Sequence, residues 1–148
     1  MDIFEAIEQD HQEIRHLIHR LRGVEEEDRT QQEKVFEELK ALLLHHHEAE
    51  ERTFFHALLD NRDARHEGMH ALQEHGEHKK VLEQMGDMRP GSDNWWDRFG
   101  ELEHDILHHL EEEEEDIFPL ARKVFSSQEA RALGTRIGQV KGGLSAHG

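Results

Sequence analysis

Between Glu101 and Leu120 the chain reads ELEHDILHHLEEEEEDIFPL, and this stretch sets a condition that any fold of the chain must meet. His109 and Glu113 are four residues apart, a spacing that stacks both side chains on one face of a helix. Leu102, Ile106 and Ile117 fall on that same face, so a ligand-type pair points into an apolar stripe. Burying an ionised carboxylate without a partner is costly. No lysine or arginine lies on the stripe to meet it. The arrangement calls for a metal ion.

The pattern occurs twice. Displaced by 63 positions, His46 and Glu50 fall on His109 and Glu113, with Phe36 on Phe99, Leu39 on Leu102, Leu43 on Ile106 and Phe55 on Phe118. Displaced by 64, Asp10-His11 falls on Glu74-His75, Ile18 on Leu82 and Leu21 on Met85. The chain therefore reads as two copies of a helical hairpin. The first helix is expected from Asp2 to about Arg22, with Phe4, Ile7, His11, Ile14, Ile18 and Leu21 on one stripe. The second is expected to start at a Thr30 N-cap, with Glu33 completing a capping box, and to run to about Leu59. Val35, Leu39, Leu42, Leu43, His46, Glu50, Thr53 and Phe54 share its inward arc. The third spans about Ala64 to Met88, with Leu72, His75, Leu82 and Met85 inward. Pro90 and Gly91 break the chain before a fourth helix capped by Ser92 or Asp93. It carries Trp95, Phe99, Leu102, Ile106, His109, Glu113 and Ile117 inward, and Pro119 should weaken or kink it.

Neither hairpin can bury its stripe alone. The expected fold is all-α: an up-down-up-down four-helix bundle over residues 1–125. Residues 126–148 are expected to add a short C-terminal helix, capped by Ser126 or Ser127 and ending near Ile137, and a flexible Gly-rich tail, KGGLSAHG.

Composition narrows the chemistry. Charged residues, 35%, slightly outnumber hydrophobic ones, 34%, which would suit a disordered chain; the strict helical period of the apolar residues points instead to a folded bundle with solvated outer faces. A net charge of −16 argues against nucleic-acid and anionic-membrane partners. The absence of cysteine excludes disulfides, thiolate metal sites, iron–sulfur ligation and thiol catalysis, and the absence of tyrosine excludes a phenolate ligand or tyrosyl radical. There is no membrane-length apolar run, and MDIFEAIEQDHQE does not read as a signal peptide, so a cytoplasmic protein is expected.

Histidine is the outlier, with 15 in the chain. Six side chains should converge in the bundle core: His11, His46, Glu50, His75, His109 and Glu113. Imidazole and carboxylate together suit iron, manganese or zinc, and two inward carboxylates among four histidines can bridge two such ions. Each ion then keeps an open position for a small ligand. His45 and His47 lie about 100° to either side of His46 and are expected off the site, as is His108 beside His109. His78, one turn beyond His75, competes with it, and His75 is preferred because it keeps the repeat register; His70 is an outside candidate for an extra ligand. His16, His19, His56, His66, His104 and His147 read as surface, and Glu111 to Asp116 by itself reads as a solvated charge run.

The set His11, His46-x-x-x-Glu50, His75, His109-x-x-x-Glu113 resembles the hemerythrin-like HHE cation-binding family. The DH pair of the first helix, the EH pair of the third, and the Phe-Phe and Phe-Pro that close the second and fourth match as well, and the likeness extends to about Phe125. It implies two iron ions in a non-haem centre completed by an oxo or hydroxo bridge, with His11 and His46 on one iron, His75 and His109 on the other, and Glu50 and Glu113 bridging. Two departures stand out. Oxygen carriers of the family place two histidines one turn apart in the third helix, whereas Ala71 stands four before His75 here. They also use His-x-x-x-x-Asp in the fourth helix. The resemblance implies a small-molecule partner (dioxygen, nitric oxide or peroxide) bound for sensing, buffering or detoxification. The alternatives are an enzyme acting on peroxide or nitric oxide, and an iron-sensing or delivery protein.

Overall fold

The computed structural model describes the backbone of residues 1–147 and the side chains of residues 1–145. The described residues are helical apart from short turns, with no strand. Helix α1 spans Ile3–Arg22 and α2 spans Arg29–Glu50; α2 continues through a π-helical segment, Glu51–Phe55, into the short α3, His56–Leu59. Helix α4 spans Arg65–Gly86 and α5 spans Asp93–Glu112; α5 likewise continues through a π segment, Glu113–Ile117, into α6, Phe118–Val124. Helix α7 spans Ser127–His147.

The helix starts are set by side-chain caps. Asp2 accepts from the Glu5 amide while the Glu5 carboxylate accepts from the Asp2 amide, a full capping box. Ser92 accepts from the Trp95 amide, as expected, and Ser126 forms a second capping box with Glu129. The expected Thr30–Glu33 box is not the cap of α2. Asp28 takes that place, its carboxylate accepting from the Gln31 amide, so the helix begins at Arg29 and Thr30 falls inside its first turn. Gly91 sits at φ +80, where a β-carbon would also strike Gln32 and Arg29, so the turn into α5 requires glycine.

Two apolar clusters form the interior, one around Ile7, Phe54, Phe55 and Phe118, the other around Ile14, Leu43, Trp95, Phe99, Ile106 and Leu110. Within the four arms, α1 packs chiefly on α2 and α4 on α5, as two paired hairpins require, while α7 packs on α1 about as extensively. On α1, α2, α4 and α5 the ligand-type histidine lies where one cluster gives way to the other, for example His11 between Ile7 and Ile14, and His109 between Ile106 and Ile117. Trp95 is buried against Phe36 and Phe99 and closes the far end of the second cluster.

The C-terminal segment departs from expectation. The extra helix is not short and does not end near Ile137, and its glycines do not fray it: α7 includes Gly142 and Gly143. Ala130, Leu133, Ile137, Val140 and Leu144 recur at helical spacing and pack on the first apolar cluster, and this tertiary contact outweighs the low helix propensity of glycine. The side chain of His147, expected at the surface, lies outside the described residues. Helix α7 docks on α1, α2 and the first π segment. Gly134 is the close point, where a β-carbon would come within 2.2 Å of the Met1 carbonyl oxygen and 2.7 Å of the Asp2 backbone carbon. Backbone cannot yield as a side chain does, so Gly134→Ala is expected to cost about 1–3 kcal/mol, as overpacking does, read as a lower thermal midpoint; an unchanged midpoint would show that α7 docks loosely.

Candidate metal centre

The six side chains chosen from the sequence meet in the interior. His11, His46, Glu50, His75, His109 and Glu113 are all buried, and Glu50 and Glu113 are fully inaccessible. His11 Nε2 lies 3.0 Å from Glu113 Oε1, His46 Nε2 lies 3.1 Å from Glu50 Oε1, and His75 Nε2 lies 3.4 Å from the same Glu50 oxygen. His75 Nε2 and His109 Nε2 face each other at 3.1 Å, with Glu113 Oε2 3.7 Å from the latter. Two groupings have ligand atoms mutually within 4.8 Å: His11, His46, Glu50 and Glu113; and Glu50, His75 and His109. Glu50 belongs to both.

Every outward nitrogen of these four imidazoles meets a carboxylate. His11 Nδ1 is 2.6 Å from Glu114, His46 Nδ1 is 2.9 Å from Asp10, His75 Nδ1 is 2.9 Å from Glu51, and His109 Nδ1 is 2.8 Å from Glu74. A carboxylate can only accept, so each Nδ1–H donates and each Nε2 turns its lone pair inward. The outer carboxylates are themselves held: Arg15 bonds Glu114 through both terminal nitrogens, and Lys141 of α7 donates to Asp10. The pairing is crosswise. Asp10 and Glu74 each sit beside one site histidine in the chain yet orient a histidine on another helix, and Glu51 and Glu114, next to the inner carboxylates, do the same.

Inside this shell the polar atoms are orphaned. His11 Nε2, His46 Nε2 and all four carboxylate oxygens of Glu50 and Glu113 lack a hydrogen-bond partner. Two lone-pair nitrogens 3.1 Å apart, beside two unpaired carboxylates, repel unless something cationic sits among them. Without metal, protons take that part. Burial alone would lower the His46 pKa, but the Glu50 and Asp10 carboxylates override it and push it up to about 10. Burial alone would raise that of Glu50, but the His46 charge pulls it down to about 2. Burial and then the Glu50 charge raise that of Glu113.

Both π segments begin directly after or at the inner carboxylate, at Glu51 and at Glu113. Such widened turns recur at functional sites. Pro119, expected to weaken the fourth helix, sits in the first turn of α6 just after the second of them. The first π segment forms with no proline nearby, so Pro119 tolerates the widened turn rather than causing it.

Two further histidines are buried beside the groupings without belonging to either. His47, expected off the site, is buried, its ring stacked 3.7 Å from that of His75. His78 is also buried, its Nδ1 3.4 Å from His47 Nε2. Burial, then the neighbouring imidazoles, holds His47 well below the ordinary histidine value and lowers His78 to about 3; burial and His109 lower His75 to about 4. The repeat contained the signal. Leu110 and Ile14 occupy the matching positions of the other copy, and both are core residues. His45 is half-buried, while His16, His19, His56, His66, His104 and His108 are exposed. Glu114 leaves the expected charge run to face His11. The four orienting carboxylates were not legible as such: Asp10 and Glu74 were visible only as parts of the DH and EH pairs.

The family model described as the hemerythrin HHE cation binding domain matches residues 2–121. The chain belongs to this family. No curated protein and no solved structure gives a significant match. Membership makes the chain a hemerythrin-like cation-binding domain, and its buried His/Glu groupings are placed to hold metal. The match stops short of α7, so the ammonium that Lys141 brings to Asp10 comes from outside the family segment. No helix among the described residues is long and apolar enough to cross a membrane.

Proposed function

We propose that the chain is a cytoplasmic non-haem di-iron protein that binds dioxygen, or a related small ligand such as nitric oxide or peroxide, for sensing, buffering or detoxification. His11 and His46 would hold one iron, His75 and His109 the other, with Glu50 and Glu113 shared between them. The observation that carries the reading is the orphaned set: four fully buried carboxylate oxygens among inward imidazole nitrogens whose tautomers are all fixed from outside. That donor set fits two divalent ions of borderline softness. The short connections between α1 and α2 and between α4 and α5 support an up-down-up-down course for the four helical arms, with α7 alongside.

Bound iron would supply an electron-rich centre with open positions for a diatomic ligand or peroxide. The protein's own residues do the rest. Asp10, Glu51, Glu74 and Glu114 hold the imidazoles, and the two apolar clusters exclude water from both ends. The second reading, an enzyme acting on peroxide or nitric oxide, is favoured by His47 and His78. These neutral imidazoles, packed on His75 and His109, offer hydrogen-bonding groups to a ligand on that side only.

Elemental analysis of the purified protein is expected to find two equivalents of iron. Air mixed with the reduced protein separates the readings. A reversible oxygen-dependent spectrum supports a binding role, rapid irreversible oxidation counts against it, and oxygen evolution from added peroxide supports the enzyme. Protein that takes up no metal would overturn the proposal.

A further inference from the structure

The two halves of the molecule are alike at the centre and different just outside it. In the first half Asp10 orients His46 and is met by the Lys141 ammonium. Its neighbours on that face are Ala6 and Ala49, buried in the apolar cluster that includes Ala130 and Ile137 of α7. In the second half the same register places Glu74 at the Asp10 position, and it orients His109. The two alanines are replaced there by His70 and Glu112. Among the described residues no lysine or arginine reaches Glu74. Instead His70 Nε2 stands 3.6 Å from the other Glu74 oxygen and 3.1 Å from Glu112 Oε1, and His108 Nε2 stands 3.3 Å from Glu112 Oε2.

We propose that His70, Glu74 and Glu112 form a third, exchangeable divalent-cation site, lying where the other half places its ammonium, and that it feeds the inner centre. Two observations converge on it. The three ligand atoms lie within 4.8 Å of one another, a spread that a first-row ion contracts to its own bond lengths by small rotamer changes. Independently, the repeat shows what this position wants: the equivalent carboxylate is neutralised by a built-in cation, and this one is surrounded by ligand-type side chains. One imidazole and two carboxylates suit manganese(II), iron(II) or zinc(II) and leave positions for water.

The surroundings fit an entry point. A surface cavity of about 330 Å³ adjoins the cluster, lined by His66, Glu67, His70, Glu112, Asp116 and Ile117, with no basic residue but the two imidazoles. His70 is half exposed, so an ion arrives from solvent. Glu74 is the link inward, with one oxygen on the outer cluster and the other on the Nδ1–H of His109. A cation on the outer oxygen loosens the hold on His109 and lets that imidazole swing to admit the ion. On the first half α7 and Lys141 close the matching route.

The port function rests on the inner side chains holding metal; the outer site itself does not. The test is a cobalt(II) titration of the metal-free protein by equilibrium dialysis, with stopped-flow absorbance for the rate of inner filling. Wild-type protein is expected to take up three equivalents, the third weakest. The double variant H70A/E112Q, both changes lying outside the inner centre, is expected to stop at two, with inner filling about tenfold slower, the low end of what a charged entry site adds to an on-rate. Circular dichroism checks that the variant keeps its helices. Wild-type saturation at two equivalents, or a third equivalent surviving in H70A/E112Q, would overturn the site; loss of the third equivalent with unchanged filling would overturn its role as the port. E50Q/E113Q separates this from the inner reading. If the inner residues bind nothing, wild-type protein takes up one equivalent, retained in E50Q/E113Q and lost in H70A/E112Q.

Discussion

Glu113→Ala is expected to reduce the metal held at the inner centre from two equivalents to at most one and to remove most of the stability that metal confers. Glu113 approaches His11 Nε2 through one oxygen and His109 Nε2 through the other, so it links the α1 imidazole to the α5 imidazole. Without it the sites on either side lose a shared donor and two positive ions lose a compensating charge. A ligand present at a thousand times its dissociation constant stabilises a fold by about 4 kcal/mol, and a structural metal centre exceeds that readily. The metal-free form of the variant should lose far less, because removing Glu113 also removes its repulsion with Glu50. Glu111→Ala, only two residues away but exposed, should bind metal as the parent does. Elemental analysis and thermal melts with and without metal read both effects. Equal loading of the two variants would mean that the face of α5 assigned to the centre is the wrong one.

The metal-free protein is expected to be most stable near pH 6.5 and to weaken in both directions. Below that value the unfolded chain binds protons at histidines that the fold keeps neutral: His47, His75 and His78 all have depressed values, so stability falls as pH drops from the ordinary histidine range. Above it the folded chain holds protons that the unfolded chain has released. His11, His46 and His109 have raised values, so their contribution is complete below 6.5 and drains away as pH rises, for His46 up to about 10. Each proton of difference is worth about 1.4 kcal/mol per pH unit. Metal reverses the alkaline arm. An ion takes the place of those protons, so loaded protein should gain stability with rising pH until the ligands are fully deprotonated, while acid releases metal and steepens the fall. Chemical denaturation from pH 5 to 9, metal-free and loaded, tests this; a metal-free profile that is flat across that range would remove the electrostatic account of the centre.

What the chain determined by itself was the identity of the central side chains and the helices that carry them. His46 and Glu50, or His109 and Glu113, share a face because a helix repeats every 3.6 residues, and the cost of burying a carboxylate among leucines is a property of the stripe, not of its neighbours. The repeat supplied His11 and His75 in the same way. What only the tertiary structure decided was everything that depends on how one helix is rotated against another. His47 is buried because the inward arc of α2 is wide enough to face α4 as well; the repeat marks its position as apolar through Leu110, but which helix covers it is decided by packing. The crosswise pairing of Asp10 with His46 and of Glu114 with His11 joins residues distant in sequence. Helix α7 runs past its glycines because it has a surface to lie on, and Lys141 finds Asp10 only once α7 is docked there. Local spacing chose the donors; interhelical packing chose how they are held.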